Sequence, residues 1–549
     1  MHPHTTKVTK TRNHGSTGSP QAPALSLSKG GFRAFAVFVP CCLLGCALLA
    51  VEAVAQPPPF ELDEATIATI HAALGSGRLT CAQLVRAYLD RIDAYDHTGP
   101  RLNAILAVNP RAMQIAAAMD RPGGPGAARA SLHCIPVILK DNYNTADMPT
   151  TGGSITLKAS MPPTDAFVVK RLRDAGAIVL AKANLTELAR GGTTVSSLGG
   201  QTKNPYDLTR TPGGSSGGTG AAIAANFGVI GTGSDTGQSV RSPASALSLV
   251  GLRPTRGLIS RDGIIPYSST QDEAGPIART VDDAARMLDV MAGYDPADPI
   301  TAFSTTRIPR TYTESLKKDG LAGARIGVLA ELFGHDPIHR EVNAVVESAI
   351  ANMKSIGAEI VRVSLPNVDA LTRGLSLTAF EFKPAFNHYL ATLGPHAPVK
   401  SLDEFIARGE FHPSLRAGLE ADQRMVDGLS SAEYKTQWLR REALRQAVMT
   451  LMASNKLDAM LYPHQRRLVV PIGEEQVDRN GVLSNSTGFP ALAFPGGFST
   501  PTSSAPIGVP IGIELLGPEW SEPTLLNLAY SFQERAHVRR PPVLSPSRD

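Results

Sequence analysis

Cysteine is scarce in this chain. Only five occur in 549 residues, and Cys41, Cys42 and Cys46 fall within the first fifty. The body of the protein keeps Cys81 and Cys134, with no CxxC pair and no metal-ligand spacing around them. That pattern points away from a metal cofactor. It leaves a single disulfide and two buried thiols equally open. Acidic residues are absent up to Val51, although Lys7, Lys10, Arg12, Lys29 and Arg33 are present. No internal repeat and no low-complexity linker follow Pro59, which argues against a repeat array or a string of domains. Charged residues make up only 19% of the chain against 42% hydrophobic ones, ample material for a large packed core.

The acid-free start has the grammar of an export signal. A basic flank precedes an apolar run from Phe35 to Val51, and Ala53-Val54-Ala55 closes it before Gln56 and a run of prolines. Residues 1–55 therefore read as a signal peptide with a long polar leader, cleaved after Ala55, and the protein as periplasmic or secreted. A retained anchor is the first alternative, but the run is short for a span of about 20 residues. The second is a lipoprotein through Leu43-Leu44-Gly45-Cys46, which would start the mature chain on the apolar Ala47-Leu48-Leu49-Ala50. Removing residues 1–55 takes away five basic residues and one acid, Glu52, leaving 48 of each sign. A neutral mature chain offers no electrostatic case for a nucleic-acid partner, and once the signal is removed nothing binds it to a membrane.

Strands and helices alternate along the rest. Thr80-Cys81-Ala82-Gln83 reads as a capping box, with Leu84, Tyr88, Leu89 and Ile92 on one helix face. Cys134 to Leu139 is a short apolar run ending at Lys140-Asp141-Asn142, as a buried strand ends. A helix is expected over 165–175 with Gly176 as its stop, then a strand over Ala177–Leu180. Gly217 to Asn226 predicts a small-residue helix stopped by Gly228, and Val229 to Gly233 a further strand. Ser499 to Pro506 reads as a loop between two strands. The fold class is α/β, with one domain over residues 56–549 and a helical elaboration from about 300 to 460.

The chemistry concentrates between Gly213 and Pro243, GGSSGGTGAAIAANFGVIGTGSDTGQSVRSP. Glycine at this density lets backbone approach a substrate closely. A phosphate loop would need Lys followed by Ser or Thr after its last glycine; here Gly217-Gly218 leads to Thr219-Gly220. Gly213-Gly214-Ser215-Ser216-Gly217 matches GxSxG, the elbow of α/β-hydrolase esterases, yet the preceding Asn204 to Pro212 is turn-rich rather than a strand. Two serine clusters and a lysine at a strand end fit nucleophilic catalysis better. A serine needs a base, and a lysine serves as one only where burial lowers its pKa from about 10.4.

With these residues in view, the chain resembles the amidase-signature family. Ser215 and Ser239 stand 24 apart, as that family's two catalytic serines do. Ile135 to Asn142 resembles its lysine motif, and Asn485-Ser486-Thr487-Gly488-Phe489-Pro490-Ala491 its C-terminal pattern. Gly508 to Leu528 is similar to its closing strand and helix, so the likeness runs from about 60 to 540. The resemblance implies a large, mostly parallel twisted sheet covered by helices on both faces. It also implies hydrolysis of an amide C–N bond through an acyl-enzyme, with no cofactor and a small-molecule or peptide amide as substrate. Carried over residue by residue, Ser239 is the nucleophile, Ser215 a bridging serine after a cis peptide, and Lys140 the base. The N–H groups of Thr236, Gly237, Gln238 and Ser239 form the oxyanion hole. The family usually has Gly-Gly before the nucleophile; Gln238 departs from that and bears on pocket shape. Ala189, within Glu187 to Gly192, is the expected substrate contact beside Gln238, a plain helix end being the alternative. Phe380-Glu381-Phe382-Lys383 with Tyr389-Leu390 resembles the peptide-amidase and aryl-acylamidase branch, and a signal-bearing neutral chain is poorly suited to serve a tRNA-linked amidotransferase.

Other charged groups read more plainly. Asp235 and Arg241 flank the nucleophile loop and are expected to brace it as an ion pair. His133 reads as a loop or core histidine. His335 and His339 are four apart, but Asp336-Pro337 between them favours a turn over a metal-binding helix. Two rival functions stand beside the amidase: an esterase using Ser215, and a non-catalytic binding protein on an amidase scaffold.

Overall fold

Thr80 caps the helix Cys81–Ile92 as its sequence predicts. Its hydroxyl accepts from the Gln83 N–H, and the Gln83 side chain accepts from the Thr80 N–H. Leu84, Val85, Tyr88 and Ile92 bury one face of that helix. The computed structural model describes residues 60–121 and 130–545; the signal segment and Cys46 lie outside the described residues.

The first strands are β1 Ile105–Val108, β2 Pro136–Lys140, β3 Ile178–Ala183, β4 Val195–Ser196 and β5 Gly200–Gln201. β6 Ile230–Asp235, β7 Val250–Arg253 and β8 Glu273–Ala278 follow, then β9 Arg325–Leu329 and β10 Glu359–Val363. β11 Ala459–Pro463, β12 Ala491–Phe498 and β13 Pro510–Leu516 come last. Apart from the small β4–β5 pair, eleven strands form one sheet, in the order β1-β3-β2-β6-β8-β7-β12-β13-β11-β9-β10. Every residue of β2, β3, β6 and β8 is buried, so helices and loops cover this part of the sheet on both faces.

Parallel order is confined to two flanks. β3, β2 and β6 are mutually parallel, as are β11, β9 and β10. Between them the run β6-β8-β7-β12-β13-β11 is antiparallel. The difference follows from connection length: parallel neighbours need a long crossover, whereas the loop Ser499–Pro506 returns β12 directly onto β13. The segment from about 300 to 460 is likewise more than helical. It contributes β9 and β10 to the sheet edge, and then the helices Thr378–Thr392, Leu402–Arg408, Arg416–Arg424 and Ala432–Ser454.

The small-residue helix runs over Gly217–Ala224, and Asn226 rather than Gly228 takes the left-handed turn after it, at φ 59°. Gly228 is small for another reason: a Cβ there would stand 2.8 Å from Ile138 Cγ1 on β2. This contact lets the helix exit lie flat against the strand that carries Lys140.

Candidate active site

β2 delivers Lys140 into the protein interior at its last residue, with no exposed surface. Nζ lies 2.7 Å from Ser215 Oγ and 2.8 Å from Ser234 Oγ, and it donates to the Ser234 carbonyl at 3.3 Å. Burial pulls the pKa of Lys140 down to about 7, against the opposing pull of Asp235 and Asp272. A substantial fraction is therefore neutral near pH 7. The rest of the Lys-Asp-Asn motif holds this end in place. Asp141 pairs with buried Lys182 at 3.0 Å, and Asn142 Nδ2 donates to Ser234 Oγ at 3.0 Å.

Ser215 follows a cis peptide bond from Gly214 and is fully buried. Its carbonyl accepts from the Thr186 N–H at 3.0 Å, and the next N–H, of Ser216, donates to the Ser239 carbonyl at 3.2 Å. The two serine clusters are thus tied by backbone. A Cβ on Gly218 would come within 2.1 Å of the Asn184 carbonyl oxygen, and one on Gly217 within 2.2 Å of Thr194 Oγ1. These glycines are needed for close packing. No strand precedes Ser215, so the elbow of an α/β-hydrolase is not present here.

The loop from Asp235 to Arg241 carries Ser239 and is braced by buried charge. Asp235 Oδ2 accepts from the Val240 N–H at 3.0 Å and from Arg241 Nε at 3.1 Å. The expected ion pair belongs to a larger network: Arg253 Nη1 reaches Asp235 Oδ1 at 3.1 Å, and Arg241 Nη1 reaches Glu514 Oε1 at 2.7 Å. Burial alone would raise the Asp235 carboxyl, but Arg241 and Arg253 outweigh it and hold the group well below the usual carboxylate range. Arg241 Nη2 also donates to the Gly237 carbonyl at 2.7 Å, and Asn485 Nδ2 donates to the same oxygen at 3.2 Å. With its carbonyl held from behind, the Gly237 peptide keeps a defined orientation.

A cavity of about 460 Å³ opens in front of this loop, and Ala189, Thr236, Gly237, Gln238, Ser239 and Arg479 are among its lining residues. None of the N–H groups of Thr236, Gly237, Gln238 and Ser239 meets a protein acceptor among the described residues. The Ser239 side chain is 6% exposed, enough to reach a ligand from the cavity wall. Gln238, in the place of the usual glycine, turns its amide oxygen to Arg479, accepting from Nη1 at 2.8 Å and Nε at 3.0 Å.

The histidines lie elsewhere. His133 Nε2 stands 4.0 Å from Cys81 Sγ, beside the Cys81–Cys134 disulfide at the far end of β2 from Lys140. The ligand atoms of these three residues cluster within 4.8 Å, a proximity across 53 residues that spacing did not signal. His335 is exposed, whereas buried His339 pairs with Asp478 at 3.3 Å. Sequence reasoning missed Arg253, Glu514 and Arg479, which come from remote segments with no local motif. Ser234 was legible in principle, since it sits inside the glycine–serine region.

Comparison with known proteins places this geometry. The Amidase family pattern matches residues 83–526. A probable amidase of Arabidopsis thaliana is 35% identical, over 88% of this chain and 92% of that protein. The A chain of the glutamyl-tRNA(Gln) amidotransferase of a Synechococcus species is 33% identical, over 88% and 94%. The crystal structure of peptide amidase from Stenotrophomonas maltophilia superposes with a TM-score of 0.80 at 38% identity, covering 88% of this chain and all of that one. A lysine at a buried strand end, a cis-serine beside it and a second serine on the cavity wall are thus set in a chain that belongs to the amidase family, the amidase-signature enzymes that hydrolyse amide C–N bonds.

Proposed function

We propose that Ser239 is the nucleophile of this amidase, Ser215 its proton relay and Lys140 its general base. Neutral Lys140 takes the Ser215 proton while Ser215 takes that of Ser239, whose oxygen then attacks the amide carbonyl. The developing oxyanion is received by N–H groups of the Thr236–Ser239 loop. The proton held on Lys140 returns through Ser215 to the amine as the C–N bond breaks. Water, deprotonated along the same route, then hydrolyses the ester on Ser239 and releases the acid. The observation that carries this reading is Lys140 Nζ at 2.7 Å from Ser215 Oγ, with the lysine lowered toward neutrality and Ser239 on the cavity wall.

The substrate is a small-molecule or peptide amide, and the protein works without tRNA and free of the membrane. The likeness to peptide amidase and the neutral mature composition support this reading. The leader and Ala53-Val54-Ala55 support export to the periplasm or beyond. N-terminal sequencing should find a mature form beginning near Gln56; an intact leader, or a diacylglycerol on Cys46, would refute export.

A fluorophosphonate probe followed by mass spectrometry tests the assignment. The label should fall on Ser239, vanish in Ser239→Ala, and persist slowly in Ser215→Ala. A label on Ser215 together with an active Lys140→Ala variant would establish the esterase reading instead. A wild-type protein that neither reacts with the probe nor cleaves peptide amides, anilides or short aliphatic amides would favour a binding protein.

A further inference from the structure

One charged side chain lines the cavity that holds Ser239. Among its described lining residues every other member is neutral, and Arg479 alone carries a charge. Its guanidinium has five N–H donors. Gln238 occupies two of them. No carboxylate lies within salt-bridge distance of Arg479 among the described residues. The neighbouring Asp478 is committed elsewhere, to His339 at 3.3 Å and Arg466 at 3.6 Å. Three donors thus remain on a cation at the wall of a substrate-sized cavity.

The placement is held firmly. Asn480 Nδ2 donates to the carbonyls of Leu332 and Pro463, both at 2.7 Å, fixing the chain just after Arg479. On the other side a Cβ on Gly192 would stand only 2.6 Å from Arg479 Nη1, so this glycine makes room for the guanidinium. Gln238 is the link to the chemistry. It is the residue before the nucleophile, and its side chain points the arginine fork while its backbone belongs to the oxyanion loop. Arginine binds carboxylate through paired, charge-assisted hydrogen bonds, and a cation without a protein counter-ion favours an anionic ligand.

We infer that Arg479, oriented by Gln238, forms a carboxylate-binding subsite, and that the preferred substrates are amides carrying a free carboxylate. This inference rests on the amidase reading above and narrows its substrate class. Its test is built on binding, so that it fails separately from the catalytic assignment. In Ser239→Ala protein, which cannot turn over, calorimetry compares dicarboxylic monoamides from malonic to adipic with the matching diamides. At least one monoamide should bind about tenfold or more tightly than its neutral diamide, the worth of one charge-assisted contact. Adding Arg479→Gln should bring the two within about twofold, and Arg479→Lys should keep part of the difference. Equal binding of acid and diamide, no detectable binding of either, or a preference that survives Arg479→Gln would overturn the proposal. Loss of fluorophosphonate labelling in the wild type would instead count against Ser239 as nucleophile and leave the binding comparison standing.

Discussion

Lys140 Nζ sits 2.7 Å from Ser215 Oγ in a place where neither residue has exposed surface. Burial is the reason a lysine can act as a base there, and it ties activity to pH in a definite direction. The lysine works only when neutral, so kcat/KM should rise with pH through about 7 and level off above it. Lys140→Ala should lower kcat by about 10²–10⁴-fold and remove that inflection. A pH–rate profile of both proteins checks this; an inflection that survives the substitution would assign it to another group.

The same shift predicts a change in stability. A lysine whose folded pKa lies near 7, below its unfolded value near 10.5, binds fewer protons when folded across that interval. Its contribution to stability therefore improves as pH rises from about 7 toward 10.5. Lys140→Met has no such dependence. The melting temperature of Lys140→Met minus that of the wild type should be most positive near pH 6 and fall steadily by pH 10. A difference independent of pH would contradict the lowered pKa.

Arg241 joins Asp235 to Glu514 across 273 residues, with all three side chains buried. Arg241→Met would leave two carboxylates short of their shared partner, a loss of about 3–5 kcal/mol. Denaturant titration should show that drop. Arg241→Lys should recover only part of it, since one ammonium cannot reach both carboxylates and the Gly237 carbonyl together.

Asn485 holds the Gly237 carbonyl from the side opposite the cavity. Asn485→Ala should lower kcat about tenfold or more by loosening the oxyanion loop, with smaller effect on KM. Circular dichroism should show the fold intact. An equal fall in kcat and thermal stability would make Asn485 a general structural residue instead.

Cys81 and Cys134 close a loop of 53 residues in sequence, with Cα atoms 5.4 Å apart. Paired Cys81→Ser and Cys134→Ser substitutions should cost about 2–4 kcal/mol. Activity per folded molecule should be retained, because the bridge lies at the opposite end of β2 from Lys140. Equal stability of the oxidised and doubly substituted proteins would show that the bridge contributes nothing.

Local physics made much of this protein readable from sequence. Thr80 and Gln83 cap a helix through neighbours three residues apart, and the apolar run to Lys140 is a strand because every residue of it is buried. Ser215, Ser239 and Lys140 were visible through spacing and motif, and the family resemblance tied them together. Tertiary structure alone decided the rest. The antiparallel centre of the sheet and the placement of β9 and β10 at its edge depend on long-range pairing that no local pattern encodes. The depressed pKa of Lys140 comes from the whole surrounding core, and the bracing of Asp235 needs Arg253 and Glu514 as well as Arg241. Gln238 stood out in sequence as a departure, but only folding brought it against Arg479, 241 residues away. Packing and electrostatics act through space, and these contacts join segments that sequence proximity keeps apart.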